Sequence, residues 1–195
     1  RLPHHIFNFS HRGEVIMPFS INTFRSNALN NAGARANLFD VTMTGAPVAG
    51  LNASEFTFAC KAAQIPASTV GVVEVPYFGR VVKVPGNKTF DNWTVTIIND
   101  EDFNIRNAME KWITAMGTHA GNVATISAGD GTLYGQATVN QYAKAGGTVL
   151  EAYNFVNIFP LNVAAIDLGW DTNDAIEEFT VEFAYDYWTH GTIVT

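Results

Sequence analysis

Cysteine is almost absent from this 195-residue chain. Cys60 stands alone, so no intrachain disulfide can form and a zinc site would have to rest on histidine and carboxylate. Histidine supplies little: His4, His5 and His11 crowd into the first dozen residues, while His119 and His190 lie in glycine-flanked ends, a distribution that argues against a metal centre. No GxSxG, HExxH, Walker A or CxxC pattern occurs, which leaves hydrolytic, nucleotide-dependent and redox chemistry without their usual residues. The expectation is a chain that is not an enzyme and needs no cofactor or metal. No apolar run approaches the ~18 residues that cross a bilayer, so helical membrane insertion is not expected either.

What is present is a chain of 47% apolar and 15% charged residues in which Gly, Thr, Asn and Val recur, a composition of a β-rich globular protein. At 21.2 kDa it is long enough to bury a sizeable core within one domain. The formal net charge of −7 is unevenly spread. Residues 1–90 hold eight Lys/Arg against four Asp/Glu, and residues 91–195 hold three against fourteen. Such polarity suits head-to-tail association between copies; equally, folding can interleave the halves and cancel it.

Residues 1–16 show no consistent period, and two readings stay open: a leader ahead of a start at Met17, or part of the protein itself. Neither is a secretory signal, since an apolar h-region and a small-residue cleavage site are both missing. Residues 17–36 are expected as an N-terminal arm, with a loop or short helix near Asn22–Asn30, and residues 37–195 as one β domain. Alternation over Leu38–Thr44 predicts a strand, and Phe56, Phe58 and Cys60 resume it across the flexible loop 45–54, so the two are expected to pair as a hairpin. Val70–Val75, Tyr77–Val84 and Phe90–Ile98 read as three further strands, the last two joined by a Pro85-Gly86-Asn87 turn.

Asp100–Met116 is predicted as a helix. Ile105, Met109, Trp112, Ile113 and Met116 share a face, Asn99 is the expected N-cap, Asp100, Glu101 and Asp102 load the positive end of the dipole, and Gly117 supplies a stop. This helix start explains the three carboxylates without a bound cation. Val123–Ser127, Thr132–Ala143, Thr148–Phe159, Val163–Trp170 and Ala175–Trp188 read as strands. Gly129-Asp130-Gly131 lacks the flanking ligands of a calcium loop and reads as a hairpin turn. Asn87-Lys-Thr and Asn92-Trp-Thr match glycosylation sequons by coincidence. Many strands and one amphipathic helix predict a mainly β protein, an antiparallel β-barrel or sandwich with one flanking helix at about residues 100–116. In the last strand Glu178, Glu182 and Asp186 alternate with apolar positions and are expected to project together, as an ordinary solvated face or as an acidic wall.

From Phe56-Thr57-Phe58-Ala59-Cys60-Lys61-Ala62 onward the sequence resembles the tail tube subunits of T4-like contractile phages. The similarity continues through Ile65-Pro66, Gly79-Arg80, Val84–Thr96, Asn99-Asp100-Glu101, Pro160-Leu161-Asn162-Val163, Leu168-Gly169-Trp170-Asp171 and Asp186-Tyr187-Trp188. It covers about residues 37–188 in unchanged order; the longer loop at 44–54 and the segment before Met17 depart from the pattern. The resemblance implies a tail tube fold, hexameric rings stacked into a tube inside a contractile sheath, and a conduit for double-stranded DNA that passes without specific binding. Implied partners are further copies of the chain, the sheath protein, and baseplate and tube-terminator proteins; the implied location is the virion tail, after assembly in the host cytoplasm. A tube of a type VI-like or extracellular contractile injection system, or a tube initiator or baseplate subunit, is the alternative. Within this frame the loose arm and loop are expected to contact stacked rings through Phe19, Phe24, Arg25, Arg35, Gly45, Pro47, Leu51 and Asn52. Asp174, Glu177, Glu178, Glu182 and Asp186 are expected to face an electronegative lumen.

Overall fold

The computed structural model describes residues 21–27, 29, 33–47, 56–57, 59–126, 132–144, 147–171 and 174–191. The chain divides into two units, residues 1–34 and 35–195. The regular element described in the first is a short helix, α1 (Ile21–Asn27), with Arg25 in its last turn.

The second unit is mostly β, and its strands are antiparallel. In chain order they are β1 (Phe39–Thr44), β2 (Cys60–Ala63), β3 (Thr69–Tyr77), β4 (Arg80–Thr89), β5 (Trp93–Ile98), β6 (Gly135–Tyr142), β7 (Val149–Val163), β8 (Glu178–Ala184) and β9 (Tyr187–His190), with helix α2 (Asn104–Met116) between β5 and β6. Seven of them form one sheet, six in the order β1-β6-β7-β8-β5-β2 and β9 on the other edge of β7; β3 and β4 form a separate hairpin. Strands β1 and β2 therefore do not form the expected hairpin: β1 lies against β6 from Phe39↔Gln141 to Thr44↔Gln136, and β2 lies against β5. Alternation marks the face a residue occupies and is silent about which strand lies beside it. Phe56 is fully buried in a helical stretch ahead of β2, not in a strand; Phe58 lies outside the described residues.

The 15-residue strand β7 makes the two-layered architecture. Its first part pairs with β6 up to Ile158 and its last part, Phe159–Val163, pairs with β8. The bend lies where Val156 and Asn157 together face Gln136, a β-bulge with Asn157 at φ 56, a conformation asparagine tolerates. The β8–β9 segment turns at the same place. Asp186 donates its N–H to the Val156 carbonyl (3.1 Å) and accepts from Asn157 Nδ2 (2.6 Å), so both segments round one corner together. Strand β8 consequently stops at Ala184, and Asp186 belongs to this corner instead of continuing the row of Glu178 and Glu182 as expected. Pro160 sits within β7 where a single partner, β8, is bonded, so its missing N–H costs no ladder bond on the other edge.

Between the two layers Val41, Met43, Val139 and Phe155 meet Trp93, Val95, Ile97, Phe179, Val181 and Phe183. Trp93 is central. Its ring stacks on Phe155 with centroids 4.4 Å apart, and its Nε1–H donates to the Gln64 carbonyl at 2.8 Å. Helix α2 packs against β7 and buries Ile105, Ala108, Met109 and Trp112, with Met116 partly buried against the core, as the 3.6-residue period requires. It begins four residues later than expected. Asp100 turns its carboxylate back on the Glu101 N–H (2.9 Å) and its carbonyl accepts from Phe103, so the acidic triplet forms a turn outside the helix. Asn99 is no N-cap either, because its N–H and Nδ2 donate to the carbonyl and carboxylate of Glu177. Gly117 ends the helix as expected, its N–H reaching Ile113.

Two expected strands are absent. Residues 123–126 fold back on the end of α2, where the Val123 carbonyl accepts from Thr118 and Thr125 donates to Ala115; Ser127 lies outside the described residues. After Val163 the chain is irregular to Asp171, since β7 has already used the extended run.

Candidate assembly surface

The β3–β4 hairpin is the part of the second unit that buries almost nothing. All nine residues of β3 are exposed, as are nine of the ten in β4. Its residues are of the kind that usually fill cores: Val70, Val72, Val73, Val75, Tyr77, Phe78, Val81, Val82 and Val84 all stand in water. Cross-strand partners share a face, so Val73↔Val84 and Val75↔Val82 make one face a patch of four valines, extended at the tip by Tyr77↔Arg80. The opposite face sets Val72↔Pro85 and Pro76↔Val81 on either side of Glu74↔Lys83. A two-stranded ribbon is marginal in water by itself, and exposed apolar patches of this kind mark association surfaces.

The hairpin's turn is not where composition put it. Pro85-Gly86-Asn87 lies inside β4, where Gly86 and Asn87 bulge opposite Gly71. A Cβ on Gly86 would stand 3.1 Å from the Gly71 carbonyl oxygen, which is why glycine is there. The reversal occurs at Phe78 (φ 43) and Gly79 (φ 76), a two-residue turn with positive φ at both positions. At the root, Trp188 of β9 donates Nε1–H to the Ala67 carbonyl (3.3 Å), and Lys88 Nζ lies 5.6 Å from the Trp188 ring centre and 5.1 Å from that of Phe90. These contacts tie the ribbon to the sheet that carries β9.

The carboxylates expected to act together are distributed as follows. Glu178 and Glu182 share the outer face of β8, opposite Phe179, Val181 and Phe183. Glu178 pairs with Lys61, and Glu182 accepts from Asn92 Nδ2 at 2.7 Å. Glu177 is occupied by Asn99, Asp186 by Asn157, and Asp174 is exposed. Of the residues expected at ring contacts, Phe24 and Arg25 are exposed on α1, Arg35 and Gly45 are exposed, and Pro47 is half-buried; Phe19, Leu51 and Asn52 lie outside the described residues.

Among the described residues, grooves indent the second unit in at least three places. One, of 490 Å³, is lined by Ala59, Ile98, Asn99, Asp100, Asn104, Ile105 and Ile176 at the start of α2. Another, 360 Å³, lies between α2 and β7 at Glu110, Ile113, His119 and Leu161. The third, 140 Å³, is lined by Ala36, Phe39, Ala63, Ile65, Val139, Gln141 and Tyr153. None assembles reactive chemistry among the described residues: no group of three or more His, Cys, Asp or Glu is placed to hold a metal ion. Burial pushes the Cys60 thiol up to about 12, which leaves it protonated and unreactive at neutral pH. No described helix is long and apolar enough to cross a membrane.

A bent β sandwich that displays an exposed apolar ribbon presents a surface suited to association. The family described as phage tail tube protein matches residues 33–191, and the chain belongs to it. It is 38% identical over 156 residues to tail tube protein gp19 of Enterobacteria phage T4, covering 80% of this chain and 90% of that protein. Against the tail tube protein of Serratia phage KSP90 it is 24% identical over 120 residues, 62% and 66% of the two chains. Among solved structures it is similar to a chain of the PVC sheath-tube complex of an extracellular contractile injection system in its extended state (TM-score 0.60, 14% identity, 90% of this chain and 99% of that one). It is also similar to one of the six-fold symmetrised baseplate of the anti-feeding prophage (TM-score 0.62, 9% identity, 84% and 99%). The chain is thus a tail tube subunit of the contractile phage type, and its place is the virion tail.

Proposed function

We propose that the chain polymerises as hexameric rings stacked into a tube inside a contractile sheath, and that the tube conducts DNA during ejection. The observation that carries the self-association is the β3–β4 ribbon, whose valines stay wet unless other copies cover them. A ring needs a heterologous interface in which one surface meets a different one on the next copy and rotation closes the circle. Folding interleaves the basic first half of the sequence with the acidic second half, β1 lying against β6 and Lys61 pairing with Glu178, so the two surfaces are not simply the two halves. The phage relative at 38% identity, against 14% for the injection-system chain, favours a DNA conduit over an effector-delivery tube. The sheath, baseplate and terminator named for the neighbouring structures are the classes of partner this reading assigns. Assembly takes place in the host cytoplasm.

Within this tube the outer face of β8 lines the lumen through Glu178 and Glu182, with Asp174, Glu177 and Asp186 adding negative charge near it. The arm residues Phe19, Phe24, Arg25 and Arg35, with Gly45, Pro47, Leu51 and Asn52 of the loop, make contacts between stacked rings. The purified protein is expected to form rings or long tubes without any added cofactor. Negative-stain microscopy and mass photometry that find only monomer at micromolar concentration and above would overturn the proposal.

A further inference from the structure

We infer that the hairpin tip, Tyr77-Phe78-Gly79-Arg80, docks in the acid-rimmed groove at the start of α2 on the next copy of the chain. The inference rests on the tube reading and names the two surfaces that meet.

Phe78 is the starting point. It occupies the first position of a turn that favours Asn or Gly, at φ 43, a region costly for a bulky side chain. The residue is 89% exposed, and its ring meets that of Tyr77 edge to face with centroids 4.7 Å apart. A strained phenyl ring left this exposed buries little area in its own copy. Such residues are the anchors of interfaces. Arg80 follows one residue after the turn glycine and makes no ion pair among the described residues.

The groove offers the complement. Its lining includes the apolar Ala59, Ile98, Ile105 and Ile176, and its 490 Å³ is ample for an aromatic ring. Asp100 stands on its rim, followed by the exposed Glu101 and Asp102, and none of the three is in an ion pair among the described residues. A ring with a cation beside it therefore meets apolar lining residues with carboxylates beside them. The grooves at Glu110 and at Phe39 lack this match: Glu110 is taken by Arg106, and the lining of the groove at Phe39 bears no charge. Nine residues at about 3.3 Å each set the tip roughly 30 Å from the hairpin's root, a reach suited to a neighbouring copy. The contact is heterologous, as ring closure or stacking requires.

The test uses the full-length chain. A photoreactive benzoylphenylalanine in place of Phe78, irradiated in assembled protein, is expected to cross-link to the tryptic peptide 89–106 of another copy. Arg80→Glu is expected to abolish tube growth while the monomer keeps its circular dichroism spectrum, and adding Glu101→Lys with Asp102→Lys is expected to restore it. Cross-links confined to other peptides, or undiminished growth of Arg80→Glu tubes, would overturn this contact and leave the tube itself standing. Absence of tubes from the unmodified chain would instead overturn the tube and the contact together.

Discussion

At Gly135 the sequence shows a glycine in a strand, and the structure shows why. A Cβ there would stand 2.8 Å from the Trp112 ring and 3.3 Å from the Thr44 carbonyl oxygen. Trp112 cannot retreat easily, since it is fully buried and its Nε1–H donates to the Leu133 carbonyl at 2.9 Å. The glycine is the seat of the helix's largest side chain. Gly135→Ala is expected to destabilise the fold by about 1–3 kcal/mol through overpacking, read as a lower urea midpoint with an unchanged slope. A midpoint equal to the parent's would mean that the ring shifts without strain and that the close approach does not hold α2 in place. Trp112 was legible in the sequence as a core residue from its helical spacing. Its contact with Gly135 was not, because periodicity identifies a face and contains no information on what lies across from it.

The hairpin shows the same limit for whole elements. Strands β3, β4, β5 and β8 are visible as β-branched or alternating runs, and helix α2 as an apolar stripe. What misleads is local chemistry with two uses. Pro-Gly-Asn is turn-like, yet here it forms a bulge within β4, while the true reversal at Phe78-Gly79 lacks the Asn-Gly signature. Three acids ahead of an apolar stripe suit a helix start, yet Asp100 closes a turn on its own neighbour. Most of the candidate assembly surface was hidden for a related reason: valines announce a strand without saying whether anything covers it. The ribbon's attachment is testable as an element. Trp188 contributes a hydrogen bond to Ala67, a ring under Lys88 and an edge contact to Tyr153 at 5.6 Å. Trp188→Ala is expected to raise amide exchange throughout residues 69–89 of the monomer, with β5 and β8 protected as before. Trp188→Phe keeps a ring and loses the hydrogen bond, so it should fall between. Equal loss of protection in β5 and β8 would make Trp188 a general core residue.

For the whole molecule the deciding quantity is where the negative charge points. Duplex DNA carries about one negative charge per 1.7 Å of axis, so a basic wall would bind it by counterion release and hold it, whereas an acidic wall leaves it free to slide. Strand β8 offers an acidic face, but not a bare one: Lys61 offsets Glu178, whereas Glu182 has only the neutral Asn92. On the other layer Asp40 of β1 accepts from Asn140 Nδ2 and from the Tyr142 hydroxyl, a bond that, with burial and the nearby charge, raises the Tyr142 pKa. Hydrogen bonds from neutral donors leave both Asp40 and Glu182 their charge, so the place of the β8 face is decided by reversing its carboxylates. Reversing both charges, Glu178→Lys with Glu182→Lys, separates the possible positions of that face. In the lumen it should leave tubes intact but make them retain duplex DNA at low salt, with release as salt rises and ejection impaired. At a subunit boundary it should abolish rings before any tube forms. Intact tubes with normal ejection would place β8 away from both DNA and neighbours, since two added cations per subunit, repeated around every ring, could not face passing DNA without slowing it.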